Sequence, residues 1–213
     1  MARVIETTVY TFEELSPKAK DRARDRWRTA EGSDFDSDYV IEDAVEIAKI
    51  LGIEFDDRAV KLMNGGVRYE PAVFFSGFCS QGDGACFEGF YRYARGAAKK
   101  IREYAPQDTA LHAIADGLQR LQQGQFYALE ARMRHRGRYQ HSGCMTVEVE
   151  DTRTAYRDIP RAIEDDITGR MRDFADWIYQ RLQNAYDWTM SDENVDEMLT
   201  VNGYEFEETG EIV

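Results

Sequence analysis

Four side chains in this sequence have the chemistry to hold a soft divalent metal. Cys79 and Cys86 bracket a polar, glycine-rich segment, and His141 with Cys144 borders a second polar stretch. A tetrahedral zinc ion takes such a set when two chain segments meet. The spacing is poor for it, because six residues separate Cys79 from Cys86 where two to four are usual. Cys86 beside Phe87 also suits a small core position. No metal and no cofactor is assigned. Nucleophilic catalysis has little to work with: His112, His135 and His141 are the available bases, and no Gly-x-Ser-x-Gly elbow occurs. No catalytic residue is assigned, and a non-enzymatic role is expected.

Phosphate binding is the next chemistry. The run Ser76-Gly77-Phe78-Cys79-Ser80-Gln81-Gly82-Asp83-Gly84 is rich in glycine but lacks the Lys-Ser/Thr ending of a P-loop. A β run follows it instead of a helix, which removes the helix-dipole argument. Amides at Gly82 and Gly84 could still form an anion nest, and Phe74, Phe78 and Phe87 could stack a base. The same residues equally suit a tight turn over an aromatic core. Phe78, Ser80, Gln81, Gly82, Asp83 and Gly84 are therefore the candidate hairpin for a nucleotide ligand or a partner. Arg132, Arg134, Arg136 and Arg138 form a basic patch that could grip phosphate or carboxylates, or could neutralise acids within the chain.

The acids form the larger feature. The 213 residues carry 40 Asp and Glu against 27 Lys and Arg, a formal charge of −13. Residues 31–57 hold ten acids and one Lys, and residues 182–213 hold nine acids and no Lys or Arg. Asp34, Asp36, Asp38, Glu42, Asp43 and Glu46 mark one candidate acidic face. Asp192, Glu193, Asp196, Glu197, Glu205, Glu207 and Glu208 mark the other. Such charge repels a phosphate backbone, so direct nucleic-acid binding is disfavoured. It suits either a solvated surface or a face that imitates nucleic acid before a basic partner.

The elements that must position these groups follow from periodicity. Residues 4–12 are expected as a first strand. Ser16 and Pro17 start a helix with Leu15, Ala19, Ala23 and Trp27 on one face. Val40, Ala44, Ile47 and Leu51 mark a second helix that Gly52 ends. Short strands are expected at 53–55 and 60–63, before the turn Asn64-Gly65-Gly66. Residues 72–78 and 85–91 read as a β-hairpin around the glycine-rich tip. Helices at 97–104 and 108–123, then strands at 126–133 and 145–150, come next. A long helix at 159–188 carries Ile163, Ile167, Met171, Phe174, Ile178 and Leu182 as its apolar stripe. Ser191 starts a last short helix, and residues 204–206 are expected as an edge strand.

The fold class is therefore α+β: an antiparallel sheet built from hairpins and covered by amphipathic helices, read as one domain over 1–213. No apolar run approaches the ~20 residues of a membrane span. The opening MARVIETTVY lacks a signal pattern and three Cys do not suggest a disulfide scaffold, so a cytoplasmic protein is expected.

Three blocks then carry a resemblance. VYTFEELSPKAK at 9–20 resembles the VYTFDELSDEAK opening of a family of small proteins in tailed-bacteriophage genomes. FSGFCSQGDGACF at 75–87 is similar to that family's FSGFWSQGDGASF, with Cys79 and Cys86 where the block has Trp and Ser. VNGYEFEETGEI at 201–212 is similar to its ENGYEFTEDGKI tail. Many members carry the label "antitoxin of toxin–antitoxin stability system". The resemblance implies a phage accessory protein acting in the cytoplasm of an infected bacterium, where such genes commonly counter host defences. The expected partner is a host defence protein or complex, a CRISPR effector for example, blocked through the acidic faces. A nucleotide signal held by the hairpin and the arginines, a true antitoxin and a homodimer are the other readings.

Overall fold

The structure, a computed structural model, describes residues 8–31, 35–63, 65–153 and 159–213. Among them the helices are α1 (Pro17–Glu31), α2 (Asp38–Leu51), α3 (Ala97–Tyr104), α4 (Thr109–Gly124), α5 (Arg161–Thr189) and α6 (Asp192–Val201). The strands are β1 (Ile53–Phe55), β2 (Asp57–Lys61), β3 (Val67–Pro71), β4 (Val73–Phe75), β5 (Ala85–Phe87), β6 (Gly89–Arg92), β7 (Leu129–His135) and β8 (Met145–Asp151). Every strand pairing is antiparallel. The class is α+β, with hairpin-built sheets and a long helix near the C-terminus, as the sequence predicts.

The chain divides into two compact units: residues 1–37 with 184–213, and residues 38–183. In the first, Leu15 ahead of α1 and Ala19, Ala23 and Trp27 on one face of it are buried with Val195 and Leu199 of α6 and Phe206. Ser16 caps α1 by accepting from the Ala19 N–H at 3.3 Å. Gly210 sits at φ 87°, and a Cβ there would lie 2.1 Å from the Ala19 carbonyl oxygen, so the tail crosses α1 only because this position is glycine. The strand expected at 4–12 lies partly outside the described residues. Where it is described, Tyr10 makes a single bridge to Phe206, and Phe12–Glu14 form a 3-10 turn. Residues 204–206 likewise add bridges at Phe206 to Tyr10 and Ile212 in place of an edge strand.

The second unit is organised around a place where strands exchange partners. β1 pairs β6, β2 pairs β3, and β4 pairs β5, so three continuous stretches each begin in one ribbon and end in another. Asp56, Ala72 and Glu88 are the residues at the exchange. A strand that changes partner leaves its backbone groups without a ladder, and buried unpaired groups are costly. Here they satisfy one another. The Asp56 N–H donates to the Glu88 carbonyl at 3.0 Å, the Ala72 N–H to Asp56 at 2.7 Å, and the Glu88 N–H to Ala72 at 2.9 Å. The three bonds close a ring. Side chains brace it against the neighbouring sheet: Arg132 of β7 grips Asp56 through two bonds of 3.1 and 2.6 Å, and Glu88 accepts from the His135 N–H at 3.0 Å.

This exchange explains two departures from the sequence reading. The hairpin of 72–78 and 85–91 pairs only Val73–Phe75 with Ala85–Phe87; beyond Glu88 the chain joins β1 and β7 instead. Residues 67–71, which the sequence reading left unassigned, form β3 and partner β2, and β2 lies at 57–61, ahead of the expected 60–63. A third departure is at β7, which starts at Leu129. Phe126 and Tyr127 before it have φ of 56° and 62°, a left-handed pair that ends α4, with the Tyr127 N–H on the Gln122 carbonyl at 2.7 Å. Tyr127 therefore does not share a strand face with Leu129.

The rest of the unit covers the four-stranded sheet β1-β6-β7-β8. Ile167, Met171, Phe174, Ile178 and Leu182 of α5 are fully buried. Phe174 packs edge-on to Phe87 and stacks on Trp177, both at 5.8 Å. Asp108 caps α4 through the Leu111 N–H at 3.0 Å and ties it to α5 by accepting from Trp177 Nε1 at 2.8 Å. Gln122 is fully buried; its amide donates to the Leu129 carbonyl at 2.7 Å and to the Tyr91 hydroxyl at 3.2 Å, and accepts from the Leu129 N–H at 3.2 Å. Burial pushes the Tyr91 hydroxyl up to about 12.

Two substitutions test these joints. A Cβ at Gly89 would lie 2.3 Å from the Glu54 carbonyl oxygen, so Gly89→Ala is expected to cost about 1–3 kcal/mol in urea unfolding by forcing β1 from β6. Gln122→Ala leaves two buried backbone groups of Leu129 unpaired and is expected to cost about 2 kcal/mol or more.

Candidate functional site

The glycine-rich tip and the arginine-bearing connection between β7 and β8 meet in the second unit. A Cβ at Gly84 would lie 2.5 Å from His141 Cβ, and one at Gly82 would lie 3.4 Å from the Tyr139 ring. Gly82 has φ 99°, so the tip needs glycine for its backbone as well as for this approach. Two sequence candidates far apart in the chain thus become one surface.

Within the tip, two amides are engaged: Asp83 Oδ2 accepts from the Cys79 N–H at 3.0 Å and the Ser80 N–H at 2.6 Å, so a carboxylate of the chain occupies the place an anion would take at those two groups. Ser80 and Gln81 are exposed. Phe78 stacks on Tyr179 at 5.7 Å and on Phe75 at 6.3 Å, and the Tyr179 hydroxyl donates to the Gly77 carbonyl at 3.1 Å. Phe87 is fully buried, and Phe74 lies between the His135 ring at 5.2 Å and the Arg58 guanidinium at 5.4 Å. Each of these aromatics already has a partner within the chain. Tyr139, at this surface, is 59% exposed with the His141 ring at 6.2 Å beside it, and the sequence reading did not single it out.

The four arginines separate into two groups. Arg132 is held by Asp56. Arg134, Arg136 and Arg138 are exposed and have no ion pair among the described residues. Their turn is closed twice: His135 Nε2 donates to the Tyr139 carbonyl at 2.9 Å, and the Arg136 N–H donates to the Cys144 carbonyl at 2.9 Å. Gly137 inside it has φ 106°.

The cysteine and histidine candidates come near without forming a metal centre. Among the described residues no group of three or more His, Cys, Asp or Glu is placed to hold an ion. Cys79 is exposed and Cys86 is buried in β5. Cys144 Sγ lies 3.5 Å from His141 Nε2, while His141 Nδ1 accepts from the Gly143 N–H at 3.1 Å. That bond fixes the proton of the neutral ring on Nε2, which faces the thiol and cannot take its proton. Burial, with smaller contributions from Cys144 and Glu88, pushes the Cys86 thiol up to about 12.

The acidic candidates differ in what they do. Asp34 lies outside the described residues. Asp36, Asp38 and Glu42 are exposed on and before α2, whereas Asp43 accepts from the Tyr104 hydroxyl at 2.7 Å and Glu46 pairs with Lys49 at 2.6 Å. In the first unit, Asp196 takes a two-point bond from Arg24 at 2.6 and 2.8 Å, and Asp192 is held by Arg28. Glu193, Glu197, Glu205, Glu207 and Glu208 remain exposed, with no ion pair among the described residues. The negative face of α6 and the tail is thus made of glutamates, while the aspartates hold α1 to α6.

A last feature is apolar. Among the described residues the β2–β3 ribbon has no third strand, and along it and at its end Leu62, Met63, Val67 and Tyr69 are 42%, 109%, 52% and 70% exposed. Along the ribbon Glu70 takes Arg58 across the pair at 2.9 Å and Arg68 beside it, which hold its carboxyl below the usual range. A groove of about 150 Å³ lies at its base against α2, lined by Val45, Ala48, Ile53, Phe55 and Pro71. That is smaller than the several hundred Å³ of small-molecule sites.

With this geometry in hand, the chain matches the family described as Domain of unknown function (DUF8835) over residues 37–192. It belongs to that family. The matched region contains the whole second unit, with its strand exchange, ribbon and arginine turn. None of the curated proteins and none of the solved structures matches the chain. Among the described residues no helix is long and apolar enough to cross a membrane.

Two measurements check these assignments. At pH 8 a thiol reagent is expected to label Cys79 rapidly and Cys86 only at the rate of unfolding, read by mass spectrometry of the modified peptides. For Asp192, whose carboxyl is held low chiefly by the Arg28 bond and then by Arg24, the sign is fixed. The stabilisation is complete above the unfolded value of about 4 and is lost as pH falls through the lower folded value. Melting temperature is therefore expected to fall more steeply below about pH 4 in the native chain than in Asp192→Asn.

Proposed function

We propose that this DUF8835 protein is a non-enzymatic phage accessory protein that binds and blocks a bacterial defence complex through surface contact. The observation that carries the reading is the β2–β3 ribbon. It presents four large apolar side chains to solvent on a two-stranded element held at its base by the backbone ring. Exposed apolar groups on a braced scaffold favour protein contact, because burying them gains roughly 25 cal/mol per Å² with little ordering cost. The unpaired glutamates of α6 and the tail add long-range attraction for a basic partner, which speeds encounter more than it tightens the complex. The three sequence blocks shared with tailed-phage proteins support the setting, the cytoplasm of an infected bacterium.

The test is a plating assay. A panel of bacterial strains, each carrying one defence system, expresses the chain and is challenged with a restricted phage. Plating is expected to rise by tenfold or more in one strain, with the chain co-purifying with that strain's defence complex in a salt-sensitive manner. The double variant Met63→Asp with Tyr69→Asp, both exposed, is expected to fold normally and lose the effect. Plating unchanged across the panel rejects the proposal, and rescue of growth from a co-expressed neighbouring toxin would assign the chain as an antitoxin instead.

A further inference from the structure

We propose that the turn between β7 and β8 is a binding site for a nucleotide phosphate, with Tyr139 as the platform for its base. This goes beyond the ribbon-mediated contact and rests on a different element. Arg134, Arg136 and Arg138 bring positive charge to one exposed stretch, and no ion pair among the described residues consumes it. Many other arginines in this chain of charge −13 are consumed by carboxylates: Arg24, Arg28, Arg58, Arg68, Arg102, Arg132, Arg153 and Arg170 each pair with one.

The turn is also ordered in advance. The His135 ring and the Cys144 carbonyl close it, and Gly82 of the glycine-rich tip lies against the Tyr139 ring. Holding the backbone of the turn in place before a ligand arrives lowers the entropy lost on binding. Guanidinium groups bind phosphate oxygens in pairs, and an exposed tyrosine stacks any base. The Cys79 and Ser80 amides of the tip take no part, because Asp83 occupies them.

Charge also limits the ligand's size. Attraction from the arginines reaches about 8 Å at physiological ionic strength. A compact nucleotide places all its phosphates within that range. A long strand would run its remaining phosphates beyond that range, along a chain of net charge −13.

The experiment uses the full chain in magnesium-free buffer, with ATP, adenosine, inorganic tripolyphosphate and a 20-nucleotide single-stranded DNA as calorimetric probes. ATP is expected to bind with sub-millimolar affinity, at least tenfold more tightly than adenosine or tripolyphosphate. The double variant Arg136→Ala with Arg138→Ala is expected to lose tenfold or more for ATP. Tyr139→Ala is expected to weaken ATP but leave tripolyphosphate unchanged, and Tyr139→Phe to retain ATP binding. Melting curves confirm that each variant is folded. Absence of ATP binding overturns the proposal. So does tripolyphosphate binding as tightly as ATP with no effect of Tyr139→Ala, which would indicate a bare anion patch. Tenfold tighter binding of the DNA also overturns it, in favour of a strand site. None of these results bears on plating, since the ribbon is untouched.

Discussion

The backbone ring of Asp56, Ala72 and Glu88 is the constraint on which the second unit depends. Three strand segments leave their first partners within one residue of each other, and three N–H groups and three carbonyls must be satisfied at that point. Closing them on one another lets a single chain pair each of three stretches with two different partners. Ala72 at the ring is buried and small, and Gly89 next to it admits the Glu54 carbonyl. Each candidate surface of this unit hangs from the ring: the β2–β3 ribbon from Asp56 and Ala72, the glycine-rich tip from Ala72 and Glu88.

The polar braces explain why the basic residues have such different fates. Arg132 and His135 are neighbours of the ring, and their bonds to Asp56 and Glu88 fix β7 against it. Arg134, at the end of β7, and Arg136 and Arg138, past it, meet no carboxylate among the described residues. Distance from the ring thus separates the structural arginine of β7 from the available ones. In the first unit the division falls among acids instead. Asp192 and Asp196, one turn apart on α6, meet Arg24 and Arg28 of α1, while the glutamates between and beyond them face water.

Much of this was legible along the chain. Ser16-Pro17, Gly52, Asp108 and Ser191 mark helix ends by chemistry that acts within a few residues, and the stripe from Ile167 to Leu182 is a local period. The hairpin tip was legible for the same reason, since Gly82 and Asp83 specify a turn on their own. The partner exchange was not. Residues 85–91 alternate as one strand whether or not their neighbour changes at Glu88, because side-chain alternation records the pleat and not the identity of the strand alongside. The left-handed pair Phe126-Tyr127 was hidden too, as its conformation is imposed by the end of α4 and the clamp of Gln122.

The amino-acid order by itself determined the class, the helices and the glycine-rich turn, since capping, periodicity and turn preference are properties of short segments. Tertiary structure alone decided which charges cancel, which aromatics are covered and which remain open. Those outcomes depend on residues 76 or 172 positions apart, such as Asp56 with Arg132 and Arg24 with Asp196. Pairing across such distances is set by how the strands and helices pack.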